Sequence, residues 1–481
     1  MATAEAIHTD ETVRQLRTAK LGHKSLLHVA ATDNLDDLVK AYLTGEDFLI
    51  TDDKGNNILH VAAQHDKRTM ARGIAAFTVY HALWEKKNKS GKTPIDIASP
   101  RVRKDLLQIS MTHSRVVDHN TFRNDRLVEE RIKNPNKHHK VLLAVDGGGI
   151  KAILIAGILQ AIERELDDRL SNHIHWVGGT SCGGIIAIAL GLGLTVEQSR
   201  RLFMSCRYKT FCGNNRMLPK HNAKGIESIL RECCGSLTTM ADLKCQKVMV
   251  TTARIKAAPP QLLLLRSYAP RISPREYERY GYMNPSKVLA WKAARSTSAA
   301  PIFFESYHGL ADGAIFCNNP CLTLMTDFFR LKKLERHKEI ENNDEIGCII
   351  SIGSGIEPLV PIDGIDVSLS SPFAIGKDFL NVFGRGKNLI TLFLYQCTSS
   401  HAGVVQAREW AHSLGIPYFR LSPKLTRAFD LDSVATDGIF DFMFETEVYL
   451  QTQAMRDVKT LCRLLKSMPK AATTDYEKTI H

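Results

Sequence analysis

The segment Gly179-Thr180-Ser181-Cys182-Gly183 has the form G-x-S-x-G. Residues 173–177 before it read as a strand, and 184–194 after it read as an apolar helix. A serine on a tight turn between strand and helix is a nucleophile elbow: the turn strains the serine backbone and demands small neighbours. Gly179 and Gly183 supply that room. Ser181 is therefore the candidate nucleophile. Its hydroxyl would project into a cleft at a helix N-terminus, where partial positive charge favours an oxyanion or a substrate phosphate.

A second stretch, Asp146-Gly147-Gly148-Gly149-Ile150-Lys151, follows the apolar run 141–145 and precedes a helix expected over 152–170. Three adjacent glycines let backbone N–H groups converge on one point, which suits a developing oxyanion or a phosphate. A plain strand-to-helix turn is the simpler reading. A nucleotide loop using Lys151 is the other, although the spacing fits neither G-x-x-x-x-G-K-[ST] nor G-x-G-x-x-G. A third stretch, Leu310-Ala311-Asp312-Gly313-Ala314, reads as a strand end and a turn. Asp312 suits an ordinary turn, but a serine nucleophile needs a base and a carboxylate can serve. The competing base is a histidine after Asp312, in the order Ser…Asp…His. His337, His401, His412 and His481 are the candidates, with His401 and His412 expected on the surface of a helix over 399–414.

Together the three stretches resemble the patatin-like phospholipases. Residues 293–301 and 410–421 are similar to the ankyrin-repeat, calcium-independent phospholipase A2 branch, so the resemblance covers about 140–465. It implies a three-layer α/β/α hydrolase domain without a metal or other cofactor. In it Ser181 is the nucleophile and Asp312 its base. The backbone amides of Gly147, Gly148 and Gly149, helped by Cys182, hold the oxyanion. Asp146, Lys151, Gly179, Gly183 and Gly313 complete the motifs. The chain departs from the family pattern at Cys182, where threonine is expected, and at Ala152, where glycine is expected.

The rest of the chain must position these groups. Its 481 residues are enough for two to four domains, and 44% hydrophobic with 24% charged residues is an ordinary globular composition. A net charge of +12 favours an anionic partner. No nucleic-acid module is recognisable by motif, so a phospholipid surface is the expected one. Eleven cysteines without C-x-x-C pairs fit reduced thiols in a cytoplasmic setting. The N-terminus has no apolar signal core and the longest apolar run is too short to span a bilayer, so membrane contact is expected to be peripheral.

Residues 1–19 are read as an arm. Within 20–100, Leu26-Leu27-His28-Val29-Ala30-Ala31 returns as Ile58-Leu59-His60-Val61-Ala62-Ala63, and weakly as 93–98. This resembles two to three ankyrin repeats, a short all-α stack that needs support from the catalytic domain, a protein partner or a second copy. His28 and His60 are expected to order turns rather than bind metal. Residues 101–139 read as a basic linker, since 123–140 holds six Lys/Arg against three Asp/Glu. A lipid-touching segment and a solvated connector both fit it. From 140 to 470 strands alternate with helices, the pattern of a mainly parallel α/β domain. Residues 247–255 and 261–268 are expected to form a hairpin, and 285–294 a helix leading to Pro301-Ile302-Phe303-Phe304, a candidate cleft wall. Residues 388–395 suit a core helix or a membrane-inserting face. Residues 471–481 read as a frayed tail. The opposing function is a scaffold: an ankyrin stack fused to an inactive lipase fold.

Overall fold

The structure, a computed structural model, describes residues 25–111, 119–210, 221, 223–256, 258–359, 393, 395–429 and 435–471. Six helices come first: α1 (Leu26–Ala30), α2 (Leu35–Thr44), α3 (Ile58–Gln64), α4 (Arg68–Phe77), α5 (Pro94–Ile97) and α6 (Pro100–Ser110). They pair as α1–α2, α3–α4 and α5–α6. The first members touch one another in sequence order, as do the second members, giving two rows. The third pair closes at Ser110, inside the stretch read as linker. Each pair opens on a cap: Ser25, Asn57 and Thr93 accept from the first-turn amides of α1, α3 and α5. His60 acts on such a turn. Its Nδ1 accepts from Asn57 N at 3.2 Å, and its Nε2 faces the Lys92 carbonyl at 2.9 Å. His28 is exposed.

Helix α7 (His119–Lys133) leads into the sheet. Arg131 donates to the Gly415 carbonyl at 2.9 Å, which ties this basic segment to the α/β domain. The following elements are β1 (His139–Val145), α8 (Ala152–Leu166), β2 (Trp176–Gly179), α9 (Cys182–Gly191), α10 (Val196–Thr210), α11 (Ala223–Cys234), β3 (Lys247–Arg254) and β4 (Gln261–Arg266). Then come α12 (Ala290–Thr297), β5 (Leu310–Asp312), α13 (Cys321–His337), β6 (Glu345–Ile352), α14 (His401–Ser413), β7 (Tyr418–Leu421), α15 (Thr436–Gln451) and α16 (Met455–Ser467). The helix expected from 285 starts later, because Pro285–Lys287 is a single 3-10 turn.

The sheet order is β4-β3-β2-β1-β6-β7, with β5 also on β3. Strands β3, β2, β1, β6 and β7 run parallel; β4 and β5 pair with β3 antiparallel, so the hairpin forms. The near-continuous apolar runs of the central strands follow from burial on both faces. On β1, Val141, Leu143 and Val145 join one core with α8 and α9, while Leu142 and Ala144 join another with α13 and α14. The domain therefore has three layers.

The helical rows rest on this domain through α15, which packs on α4, α6 and α2. Phe440 meets the Phe77 ring edge-on at 5.7 Å, and Arg72 bridges Asp105 and Asp441 at 2.7 Å each. On the same helix Glu447 is buried, which raises its carboxyl to about 7 despite the charges of Arg164 and Arg200. A raised folded-state value means stability that is full below the unfolded carboxylate range and is lost as pH rises through about 7. Glu447→Gln should therefore raise Tm at pH 8 and leave it nearly unchanged at pH 5. Equal shifts at both pH values would place the effect in packing instead.

Candidate active site

Parallel pairing places the two key turns side by side. Val145 stands opposite Gly179 on one side and Ile352 on the other. The glycine loop, the serine turn and the Gly353-Ser354-Gly355 turn thus leave adjacent strand ends. Ser181 has φ 56° and ψ −125°, a strained left-handed conformation held by its surroundings. Its amide donates to Thr297 Oγ1 at 3.0 Å, and Thr180 Oγ1 bonds Thr251 and the Cys317 carbonyl at 2.7 and 2.9 Å. Helix α9 is buried all round, so it is clamped between sheet and helices with its first turn at Ser181.

Both motif glycines are steric requirements. A Cβ on Gly179 would lie 2.1 Å from the Gly183 carbonyl oxygen, and one on Gly183 would lie 2.4 Å from that of Val145. Gly183→Ala must push α9 off β1, so it should cost about 1–3 kcal/mol of stability and lower kcat by displacing Ser181. Thermal unfolding and ester turnover check this. A variant with wild-type Tm and rate would refute the packing argument.

Asp312 reaches the same point from β5, where it stands opposite Thr252 of β3. Its carboxyl is 2% exposed, and Oδ1 accepts from Ala314 N at 2.8 Å. Burial raises it to about 7, against the lowering effect of the Ala314 amide and the neighbouring Ser181 side chain. Gly313 must be glycine, since a Cβ there would meet Thr251 Oγ1 at 2.1 Å.

The glycine loop is held from behind. Gly147 N donates to the Asn318 carbonyl at 3.1 Å, so that amide is engaged inside the protein. The Gly147 carbonyl accepts from Ser354 Oγ at 2.8 Å. Asp146 does not face the reaction centre. It is buried, paired with Arg420 at 2.6 and 3.0 Å, and receives Asn319 Nδ2 at 2.7 Å. Lys151 donates to Glu357 Oε1 at 2.6 Å. Burial pushes the Cys182 thiol up to about 12, so it stays protonated beside the Asp146 carbonyl.

Gly148, Gly149, Ser181, Cys182 and Asp312 line one pocket, whose other walls are mainly apolar: Leu202 and Phe203 of α10, Ile226 and Leu230 of α11, and Phe303 and Phe304. The stretch Pro301-Ile302-Phe303-Phe304 thus contributes to the cleft wall. No histidine of the described residues lines this pocket. His337 and His401 are exposed. His412 is buried against a different cavity rather than on the surface, because α14 packs that side inward. His481 and most of 388–395 lie outside the described residues. Sequence reasoning assigned no role to Thr297, Asn318, Asn319, Ser354 or Arg420. Their signal is weak, since each acts from a segment remote from the motif it supports.

Ser181 in a strained turn and the buried carboxyl of Asp312 thus share one apolar pocket on a three-layer α/β domain. The family model "Patatin-like phospholipase" matches residues 143–325, and the chain carries a domain of that family. It is 31% identical over 345 residues to the 85/88 kDa calcium-independent phospholipase A2 of Rattus norvegicus, covering 70% of this chain and 42% of that protein. It is 27% identical over 331 residues to the intracellular phospholipase A2 of Caenorhabditis elegans, covering 68% and 29%. The cGAMP-activated phospholipase of Vibrio cholerae is 25% identical over 289 residues, covering 54% and 74%. The chain spans less than half the length of the first two. No helix of the described residues is long and apolar enough to cross a membrane.

Proposed function

We propose that the chain is a calcium-independent phospholipase A2-type lipid acyl hydrolase that cleaves fatty-acyl esters of glycerophospholipids. The observation that carries this reading is a strained Ser181 that shares one apolar-walled pocket with the buried carboxyl of Asp312. Asp312 takes the Ser181 proton as Oγ bonds the ester carbonyl carbon. A base near 7 matches neutral operation. The Gly148 and Gly149 amides, with Cys182 N–H, hold the oxyanion, each donor contributing roughly 2.7–4 kcal/mol. The C–O bond breaks, Asp312 returns the proton to the leaving lysophospholipid, and water releases the fatty acid from the acyl-serine by the same route. No cofactor enters this scheme.

The helix pairs over 26–110 are part of the proposal as a short ankyrin-type stack leaning on its own catalytic domain. Peripheral membrane contact is the other part. Phe393 lines the pocket and is 44% exposed, and Phe316 beside it in sequence to the lining Ile315 is 41% exposed. The described cysteines are free thiols, as a cytoplasmic setting requires.

A fluorophosphonate probe should label Ser181, and phosphatidylcholine vesicles in excess chelator should yield lysolipid and fatty acid one to one. Absence of both labelling and release from any phospholipid class would favour the scaffold reading.

A further inference from the structure

A second cavity, of about 870 Å³, is lined by Lys151 at the end of the glycine loop and by Ser354. Thr398 lines both cavities, and Ser354, which grips the loop through the Gly147 carbonyl, lines the second. The two differ in kind. The first is apolar, whereas the second is lined by Lys151, Arg408, His412, Arg420, Ser422 and Lys424.

Two of these polar side chains are buried without satisfaction. Both ring nitrogens of His412, 4% exposed, and Ser422 Oγ, 8% exposed, have no hydrogen-bond partner among the described residues. Buried polar groups are normally hydrogen-bonded, so a pair of them on one cavity wall points to a ligand. The charge on the wall says which kind. Lys151 is neutralised by Glu357, Arg420 by Asp146 and Arg408 by Glu409, while Lys424 adds positive charge. Asp457 is the other carboxylate there.

We propose that this cavity binds a phosphate ester, with His412, Ser422 and Lys424 as its contacts. If the ester is the substrate's own, this is the head-group subsite: the acyl chain lies in the apolar pocket, the ester at Ser181, and the phosphate across the glycine loop. The inference rests on the hydrolase reading above. Neutral His412 and Ser422 donate to the phosphate oxygens, and Lys424 supplies the charge.

The test compares phosphatidylcholine in mixed micelles with p-nitrophenyl butyrate, which has no phosphate. For His412→Phe, Ser422→Ala and the surface variant Lys424→Ala, the ratio of kcat/KM on phospholipid to that on the butyrate should fall about tenfold, mainly through KM. Wild-type ratios in all three would overturn the proposal. Glycerophosphocholine and inorganic phosphate separate the sources. Competition against phospholipid without an effect on the butyrate rate assigns the site to the head group. A changed butyrate rate assigns it to a free phosphorylated solute. If wild type hydrolyses neither substrate, the hydrolase reading fails. The site is then judged by thermal shift: inorganic phosphate should stabilise wild type and not Lys424→Ala, and equal shifts would overturn it.

Discussion

Asp312→Asn should reduce fatty-acid release by about 10³–10⁴-fold while leaving the fold intact. The substitution keeps the shape of the side chain. Oδ1 of asparagine can still accept from Ala314 N, the contact that Asp312 makes at 2.8 Å. What disappears is the group able to take the Ser181 proton. The pH profile carries the same argument. Wild-type kcat/KM should rise through about pH 7 as Asp312 ionises, then level off, because burial holds its carboxyl near that value. Stability should move the other way. A carboxyl raised in the folded state contributes stability that is present at low pH and lost as pH rises through about 7. Asparagine has no charge to bury, so the inactive variant should be more stable than wild type at pH 8 and similar at pH 5. Activity and Tm measured on the same samples therefore separate loss of the base from loss of the fold. Retained activity in Asp312→Asn would sink the dyad and return attention to a histidine.

The turns that carry Ser181 and Asp312 were legible in sequence because each sits in a local signal. The turn at Ser181 declares itself by glycines that a Cβ would drive into Val145 and Gly183 backbone. Asp312 is marked by Gly313, whose missing side chain makes way for Thr251. Strands β1, β2 and β6 show as apolar runs because both their faces are covered. The supports were not legible. Thr297 meets the Ser181 amide across 116 positions, and Ser354 meets the Gly147 carbonyl across 207. Such contacts follow from sheet order, which no local pattern encodes. His412 was misplaced for the same reason: α14 has polar residues enough to read as a surface helix, yet one face packs inward against β7 and α13. The boundary drawn at 100 fell inside a helix pair, because a basic, weakly apolar α6 reads as connector until α4 and α15 cover it.

Arg420→Met should cost about 3–5 kcal/mol of stability, because it removes the partner of a buried carboxylate. The Asp146 side chain is 1% exposed and Arg420 meets both of its oxygens, at 2.6 and 3.0 Å. Without Arg420, Asp146 retains Asn319 Nδ2 and no cation among its contacts in the described residues. An unpaired charge in that setting is far more costly than the intact pair is favourable. The double variant Asp146→Asn with Arg420→Met removes the stranded charge, so it should recover much of the loss, and a double-mutant cycle would give a coupling of the same sign. The consequence for catalysis runs through the backbone. Asp146 N donates to the Ile352 carbonyl at 3.0 Å, and its own carbonyl receives the Cys182 thiol at 3.9 Å, so the carboxylate anchors the first residue of the glycine loop beside the serine turn. Arg420 lines the second cavity but touches neither Ser181 nor the apolar pocket. Its substitution should therefore lower kcat on a short neutral ester through the loop's position. A variant that lost stability and kept kcat would show that the loop holds its shape through Asn318 and Ser354 alone.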